Sequence, residues 1–390
     1  MNIGKKLYII VTTAILILLV IIGVYAFKQY MSVMPKTNVI NKQQQISHNK
    51  KEEKRLKTVF DSQDSQDQEI DDYLQQAKFN GSVAVFHNGK IKFNKGYGIK
   101  NFQNNEHNSA NTMYLIGSSQ KFFTGIMLKK LVDEGKINMS NPVSNYIPWF
   151  TTTKPIPLTD LMLHKSGLFK YKGSTSFHNL DDAVHAIQQR GIQEGFYKRH
   201  RYNDGNYLVL AKVIESVLNK PYAKVFNETI VHKYKLHHTA FYDDPNAQND
   251  MAIGYKKVNN QPQLMDPVLL NQYYGAGNLY MAPYDMGKFI VDLQRNRVFP
   301  ENETQPYIKE SKTKRYPEAY RYGFYSYKDK NRINGGFYGH VFTCYFNDKY
   351  IVVVGTNYEN PSVKNEAVIK HIYNNILKQG GDYNQVGHTY

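Results

Sequence analysis

Cysteine is almost absent: Cys344 stands alone in 390 residues. That excludes a disulfide scaffold, a cysteine-rich zinc site and a CxxC redox centre. No HExxH occurs, and the 13 histidines form no tight cluster with acids at ligand spacing. A metal site is therefore not expected. Acids are also scarce, with 33 Asp+Glu against 49 Lys+Arg and a formal charge of +16. Glycine (26) and proline (14) are ordinary in number, so the chain is neither collagen-like nor dominated by linkers. What it does have is core-forming material: 41% hydrophobic and 14% aromatic residues. Wholesale disorder is excluded, and the length admits one large domain or two ordinary ones.

Charge is missing altogether from Leu7 to Phe27, a run of 21 residues. As a helix it would extend about 30 Å, the thickness of a bilayer core. Lys5 and Lys6 precede it, which keeps residues 1–6 in the cytoplasm and places everything after Lys28 outside. The rival is a cleaved signal peptide, since Val24-Tyr25-Ala26 would pass as a cleavage site. In both cases the bulk of the chain is exported, either anchored in the cell membrane or released to the cell wall. Residues 28–66 are polar and rich in Gln, Asn and Lys, the composition of a disordered basic tether. From residue 67 to 390 the chain reads as the folded domain and holds about +10 of the total charge. A basic surface outside a cell suits polyanions such as teichoic acids or anionic lipid rather than nucleic acid.

The folded part opens with a short helical run around Ile70 to Ala77. In GSVAVFHNGKIKFNKGYG (81–98), Asn88-Gly89 between two β-runs predicts a hairpin. After Ser118 the period becomes helical, with Phe122, Ile126, Leu128 and Leu131 on an apolar face. Segments 179–190 and 205–219 also read as helices. From about residue 320, the strands RYGFYSY, HVFTCYF and KYIVVVGTN precede a last helix near 363–378. Strands at both ends with helices between them predict an α+β fold. One antiparallel sheet is built from both chain ends, with helices packed on it and a helical subdomain.

Three elements carry chemistry. Ser118-Ser119-Gln120-Lys121 puts an amine beside a hydroxyl, because residues three apart share a helix face. A serine needs such a partner, since its hydroxyl is a poor nucleophile unaided. The helix start also offers a backbone N–H to an oxyanion. Two more Ser-x-x-Lys occur, Ser47 to Lys50 and Ser311 to Lys314, but neither lies on a predicted helix. The second element is Tyr202-Asn203-Asp204, where a phenol could relay a proton. Read blandly, Asp204 caps the helix that follows. The third is Asn334-Gly335-Gly336-Phe337 between two strands, where glycines allow close backbone approach or merely turn the chain. His164, in LMLHKSGL, reads as a structural residue at a helix end, and Cys344 as buried and inert.

In this order the elements resemble those of the serine β-lactamase and penicillin-binding-protein superfamily, in its class C-like serine-hydrolase branch. The likeness spans about residues 70–378 and includes MSNPVSNYIPWF, IPLTDLMLHKSGL, YNDGNYLVLAKVIESV and YYGAGNLYMAPYDMGKF. Within it, LIGSSQKFFTG, YYGAGNLYM and NRINGGFYG look like esterases that remove D-alanine from teichoic acids. The resemblance implies a β-lactamase/transpeptidase-like fold, no cofactor, and Ser118 as the acylated nucleophile with Lys121 as its base. Tyr202 would be the second proton carrier. The Ser118 and Phe337 N–H groups would form the oxyanion hole, with Asn334, Gly335 and Gly336 beside the substrate. Two departures matter. Asp204 stands where the superfamily has Asn, and Asn334 where it usually has Lys or His. Losing a cation and gaining an acid disfavours carboxylate-bearing substrates and favours an ammonium, which Asp204 could pair. The implied function is a teichoic acid D-alanine esterase that modulates cell-wall charge and β-lactam resistance. A low-affinity penicillin-binding D-alanyl-D-alanine carboxypeptidase, with β-lactams as ligands, stays open. So does a non-catalytic basic module that binds teichoic acid.

Overall fold

The computed structural model describes residues 16–29 and 55–379. It comprises two units, divided at Arg55 and Leu56. Residues 16–29 form a helix with exposed side chains. No helix among the described residues is long and apolar enough to cross a membrane. The cytoplasmic tail, the first part of the expected span (7–15) and most of the expected tether (30–54) lie outside the described residues. The larger unit begins at Leu56, ahead of the expected boundary at 67. Leu56 N–H donates to Asn111 Oδ1 at 2.7 Å, and Val59 exchanges backbone hydrogen bonds with Asn94. A polar composition did not reveal this, because main-chain pairing needs no apolar side chain.

Helix α1, Ser65–Gln76, is capped by Asp64, whose side chain accepts from Gln66 and Asp67 N–H. Strands β1 (Gly81–His87) and β2 (Lys90–Tyr97) form the expected hairpin. Asn88 and Gly89 turn it with φ of 50° and 71°, the left-handed pair that suits a right-twisted ribbon. The other strands of the main sheet come from the far end of the chain. They are β3 (Tyr320–Arg321), β4 (Phe324–Ser326), β5 (Asn331–Phe337), β6 (His340–Phe346) and β7 (Tyr350–Thr356). The sheet runs β3-β4-β5-β6-β7-β1-β2, and β1 pairs antiparallel with β7 from Gly81↔Thr356 to His87↔Tyr350. Both chain ends therefore build one antiparallel sheet.

Alternation sends side chains to two cores. Phe342, Cys344 and Phe346 of β6 join the larger one, with helices α2 (Gln120–Asp133) and α5 (Pro283–Gln294). Tyr345, Val352 and Val354 face the other, with α1 and the C-terminal helix α6, Asn365–Lys370. The helical subdomain contains α3 (Leu180–Arg190) and α4 (Asp204–Leu218). Helix α2 differs from the one-sided helix expected: 11 of its 14 residues are buried, so it runs through the core rather than over it.

Candidate active site

Ser118 sits in a single 3-10 turn, Gly117–Ser119, that feeds straight into α2. Two glycines fix that turn against β5. A Cβ on Gly335 would lie 2.3–2.5 Å from Ile116 O, Ser119 N and Ser118 N. Gly117 has φ of 50°, and a Cβ there would meet Gly336 C at 2.9 Å. No other residue type fits this backbone-to-backbone approach.

Around the Ser118 hydroxyl the expected groups converge. Lys121 Nζ lies 2.9 Å from Ser118 Oγ, and Tyr202 OH lies 2.5 Å from the same oxygen. Lys121 also donates to Asp204 Oδ1 at 2.7 Å and to the Ala276 carbonyl at 3.1 Å. Its side chain is 1% exposed, whereas that of Asp204 is 37% exposed. Lys121 donates to Ser118 Oγ as well, so its three N–H groups go to a carboxylate, a carbonyl and the Ser118 hydroxyl. Tyr202 OH shares a hydrogen bond with the same oxygen, so an amine and a phenol both reach the Ser118 hydroxyl.

The bland reading of Asp204 fails on one observation. The N-cap of α4 is Asn203, whose Oδ1 accepts from Gly205 N–H at 3.0 Å. Asp204 is thereby released from capping and turns its carboxylate to Lys121. Asn203 is itself held, because Oδ1 also accepts from Tyr171 N–H and Nδ2 donates to the Leu168 and Phe169 carbonyls.

His164 is structural, and it borders the site. It is buried, and its Nδ1 faces Asn203 N–H at 3.3 Å and Asn206 Nδ2 at 3.0 Å. Two donors make Nδ1 the acceptor, so Nε2–H donates to Tyr320 OH at 3.1 Å. The ring packs 4.4 Å from that of Tyr202. Burial, and then the charge of Lys121, holds its pKa well below the usual histidine range.

The third element needs correcting by one residue. Phe337 pairs with His340 across the two-residue turn Tyr338-Gly339. A turn that short closes on a hydrogen-bonded pair, so Phe337 N–H faces β6. Alternation then turns Gly336 N–H outward, along an edge that β4 leaves unpaired beyond Asn331 and Arg332. Gly336, not Phe337, offers the donor opposite Ser118 N–H. Asn334 pairs with Thr343, and its Oδ1 accepts from Thr343 Oγ1 at 2.8 Å. Thr343 in turn accepts from Asn365 of α6. The Asn334 side chain thus lies on the sheet face away from Ser118, and Gly335 serves packing. Two contributors had no expected role. Ala276 supplies the carbonyl on Lys121, and Gln120 Oε1 fixes that loop by accepting from Asn278 and Leu279 N–H at 2.7 and 3.1 Å.

A profile of the Beta-lactamase family matches residues 66–373. The chain belongs to that family. It is a serine hydrolase with a β-lactamase/penicillin-binding-protein fold. It is 49% identical over 393 residues to the teichoic acid D-alanine hydrolase of Staphylococcus aureus strain NCTC 8325 / PS 47, covering 98% of each. The crystal structure of FmtA from Staphylococcus aureus matches with a TM-score of 0.82 and 54% identity, over 86% of this chain and 93% of that one. A penicillin-binding protein from Bacillus halodurans shares the fold at a TM-score of 0.65 and 21% identity, over 78% of this β-lactamase-family chain and 99% of its own.

Proposed function

We propose that this chain is an exported esterase that hydrolyses D-alanyl esters of teichoic acid through an acyl-enzyme on Ser118. The observation that carries the reading is the 49% identity, across 98% of both chains, to a teichoic acid D-alanine hydrolase. In the first step Ser118 Oγ attacks the ester carbonyl while its proton passes to Lys121. Ser118 and Gly336 N–H groups hold the oxyanion. The C–O bond to the polymer then breaks, and the leaving alkoxide takes a proton through Tyr202, which Lys121 replenishes. Water next attacks the D-alanyl-Ser118 ester with the same groups as base, releasing D-alanine and free enzyme. Asp204, paired with Lys121 yet partly exposed, accepts the substrate ammonium on its outer oxygen. The basic body of about +10 draws in the phosphate polymer. Removing D-alanine ammonium groups makes the wall more anionic, which links the reaction to cell-wall charge and β-lactam resistance. The N-terminal apolar run keeps the enzyme at the outer face of the membrane.

The test is D-alanine release from D-alanylated teichoic acid by wild type and Ser118→Ala. Release by wild type alone supports the reading. Equal release by both removes Ser118 from it. Stoichiometric labelling of Ser118 by a fluorescent penicillin, with no D-alanine release, would move the chain to the penicillin-binding carboxypeptidases.

A further inference from the structure

Beside the Ser118 cleft the structure holds a run of aromatic rings that the reaction itself does not use. Tyr171 and Tyr273 lie 5.7 Å apart centre to centre, Tyr273 and Phe337 4.9 Å, and Phe337 and Tyr338 4.4 Å. Gly277 lies between these rings and the Ser118 turn. A Cβ on that residue would lie 3.6 Å from both Gly117 Cα and Phe337 Cδ1. The Phe337 ring is therefore one glycine away from the turn that carries Ser118. At the other end, Tyr171 packs on the start of α4, its Cβ 3.2 Å from the position a Cβ on Gly205 would take. Asp204, the residue before Gly205, completes the wall. Tyr273, between the two ends, is held in its neutral phenol form by burial and by the charge of Asp204.

We infer that Tyr273 and Phe337, with the outer oxygen of Asp204, form a subsite for a small organic cation: the α-ammonium of an aminoacyl ester. The inference rests on the esterase reading above and names how that site selects its acyl group. A carboxylate alone binds an ammonium with much of its hydration retained. Aromatic faces attract the same charge through the ring quadrupole and exclude water, as in the cages that bind quaternary ammonium ligands. They offer no such gain to an acyl group of equal size without a charge, so they sort substrates by the ammonium rather than by bulk. Phe337, whose N–H faces β6, can contribute only its ring, which lies beside Gly277.

Matched esters of one alcohol, D-alanyl and propionyl, test this by the ratio of their kcat/KM values. The ratio is internally controlled, because damage to the fold or to the Ser118 machinery lowers both rates together. Wild type should prefer the D-alanyl ester. Tyr273→Leu and Phe337→Leu should each reduce that preference by about 3- to 30-fold, the range expected for a desolvated cation–π contact. Tyr273→Phe and Phe337→Tyr keep the rings and should retain it. A preference unchanged in both leucine variants overturns the aromatic subsite while leaving the esterase reading intact. Wild type that cleaves the propionyl ester but not the D-alanyl ester overturns the esterase reading itself. Loss of preference in the ring-retaining variants as well would assign the effect to something other than the ring faces, and would also refute the inference.

Discussion

Two lysines on helix α2 are almost equally buried, Lys121 at 1% and Lys129 at 3% exposure, yet they are held in opposite ways. Lys129 lies between two carboxylates, Asp133 Oδ1 at 2.5 Å and Glu303 Oε2 at 2.6 Å, with the Phe299 ring 5.2 Å away. Lys121 has one carboxylate, one neutral carbonyl and one hydroxyl. Two acids meet the buried Lys129 ammonium with charge-assisted hydrogen bonds from two sides. Lys121 instead has one ion pair, and its other two hydrogen bonds go to neutral oxygens, one of them the Ser118 hydroxyl. What separates a structural lysine from one poised for chemistry is thus not burial but the sum of charge around it.

The sharpest way to break that contrast is to delete each amine. Lys121→Ala, like Ser118→Ala, should lower kcat by about 10³-fold or more per folded molecule, far beyond any effect on stability. Lys129→Met should do the reverse. We expect a loss of about 2–4 kcal/mol in urea unfolding, below the figure for a fully buried pair because both acids are partly exposed. Turnover per folded molecule should stay within about twofold, as expected for a group outside the reacting shell. A Lys129 variant that folds well but loses turnover would place the second lysine in the proton path.

Asp204→Asn sharpens the comparison by removing the single acid at Lys121 while keeping a hydrogen-bond acceptor. Esterase kcat/KM should fall about 10- to 150-fold, from loss of a charge-assisted contact to the ammonium. Penicillin acylation should be unchanged or faster. Full esterase activity in this variant would refute the recognition role of Asp204. Because Asn203 already caps α4, the substitution should not unwind the helix.

The smallest effect contrasts buried cations with buried neutral bases. His164 is depressed well below the usual range, and burial takes His340 down to about 3. Both bind fewer protons folded than unfolded. Their contribution is therefore fully present above about pH 6.5 and is lost as pH falls below it. Each should steepen the decline by about 1.4 kcal/mol per pH unit between pH 6 and 5. Denaturant titrations of His340→Gln in that window should show the slope reduced by one such increment. An unchanged slope would mean that the His340 ring is not neutral when folded.

Much of this was legible in the residues, and the reasons differ by element. Asn88-Gly89 announced its hairpin because only left-handed residues close so short a turn. The apolar strands near both ends could pair only with one another, so the sheet followed. Ser118 and Lys121 stood out because the spacing of the pair is itself the contact. The outward N–H expected of Phe337 falls to Gly336, because strand register is decided by the Tyr338-Gly339 turn and a slip of one exchanges every inward N–H for an outward one. Asn334 shared that error. Ala276 was invisible, since a backbone carbonyl leaves no mark on composition. The bland alternative, Asp204 as the cap of α4, gave way to Asn203 for a related reason. Both residues suit the position, and only the network that holds Asn203 decides between them.

The contact of Gly335 against the Ser118 turn also bears on how such an enzyme can change over generations. The main-chain groups proposed to hold the oxyanion are pressed together with no room for a single added carbon, so a coding change at Gly117 or Gly335 is expected to displace them. New substrate preferences cannot be reached by adjusting those donors. Variation in acyl preference is expected instead on the aromatic rim, whose side chains can change without disturbing the turn. A randomised library aimed at altered acyl specificity would gain most of its productive members from Tyr171, Tyr273 and Phe337. Natural drift in this lineage should leave the same imprint, an invariant glycine seam bordered by a changeable wall.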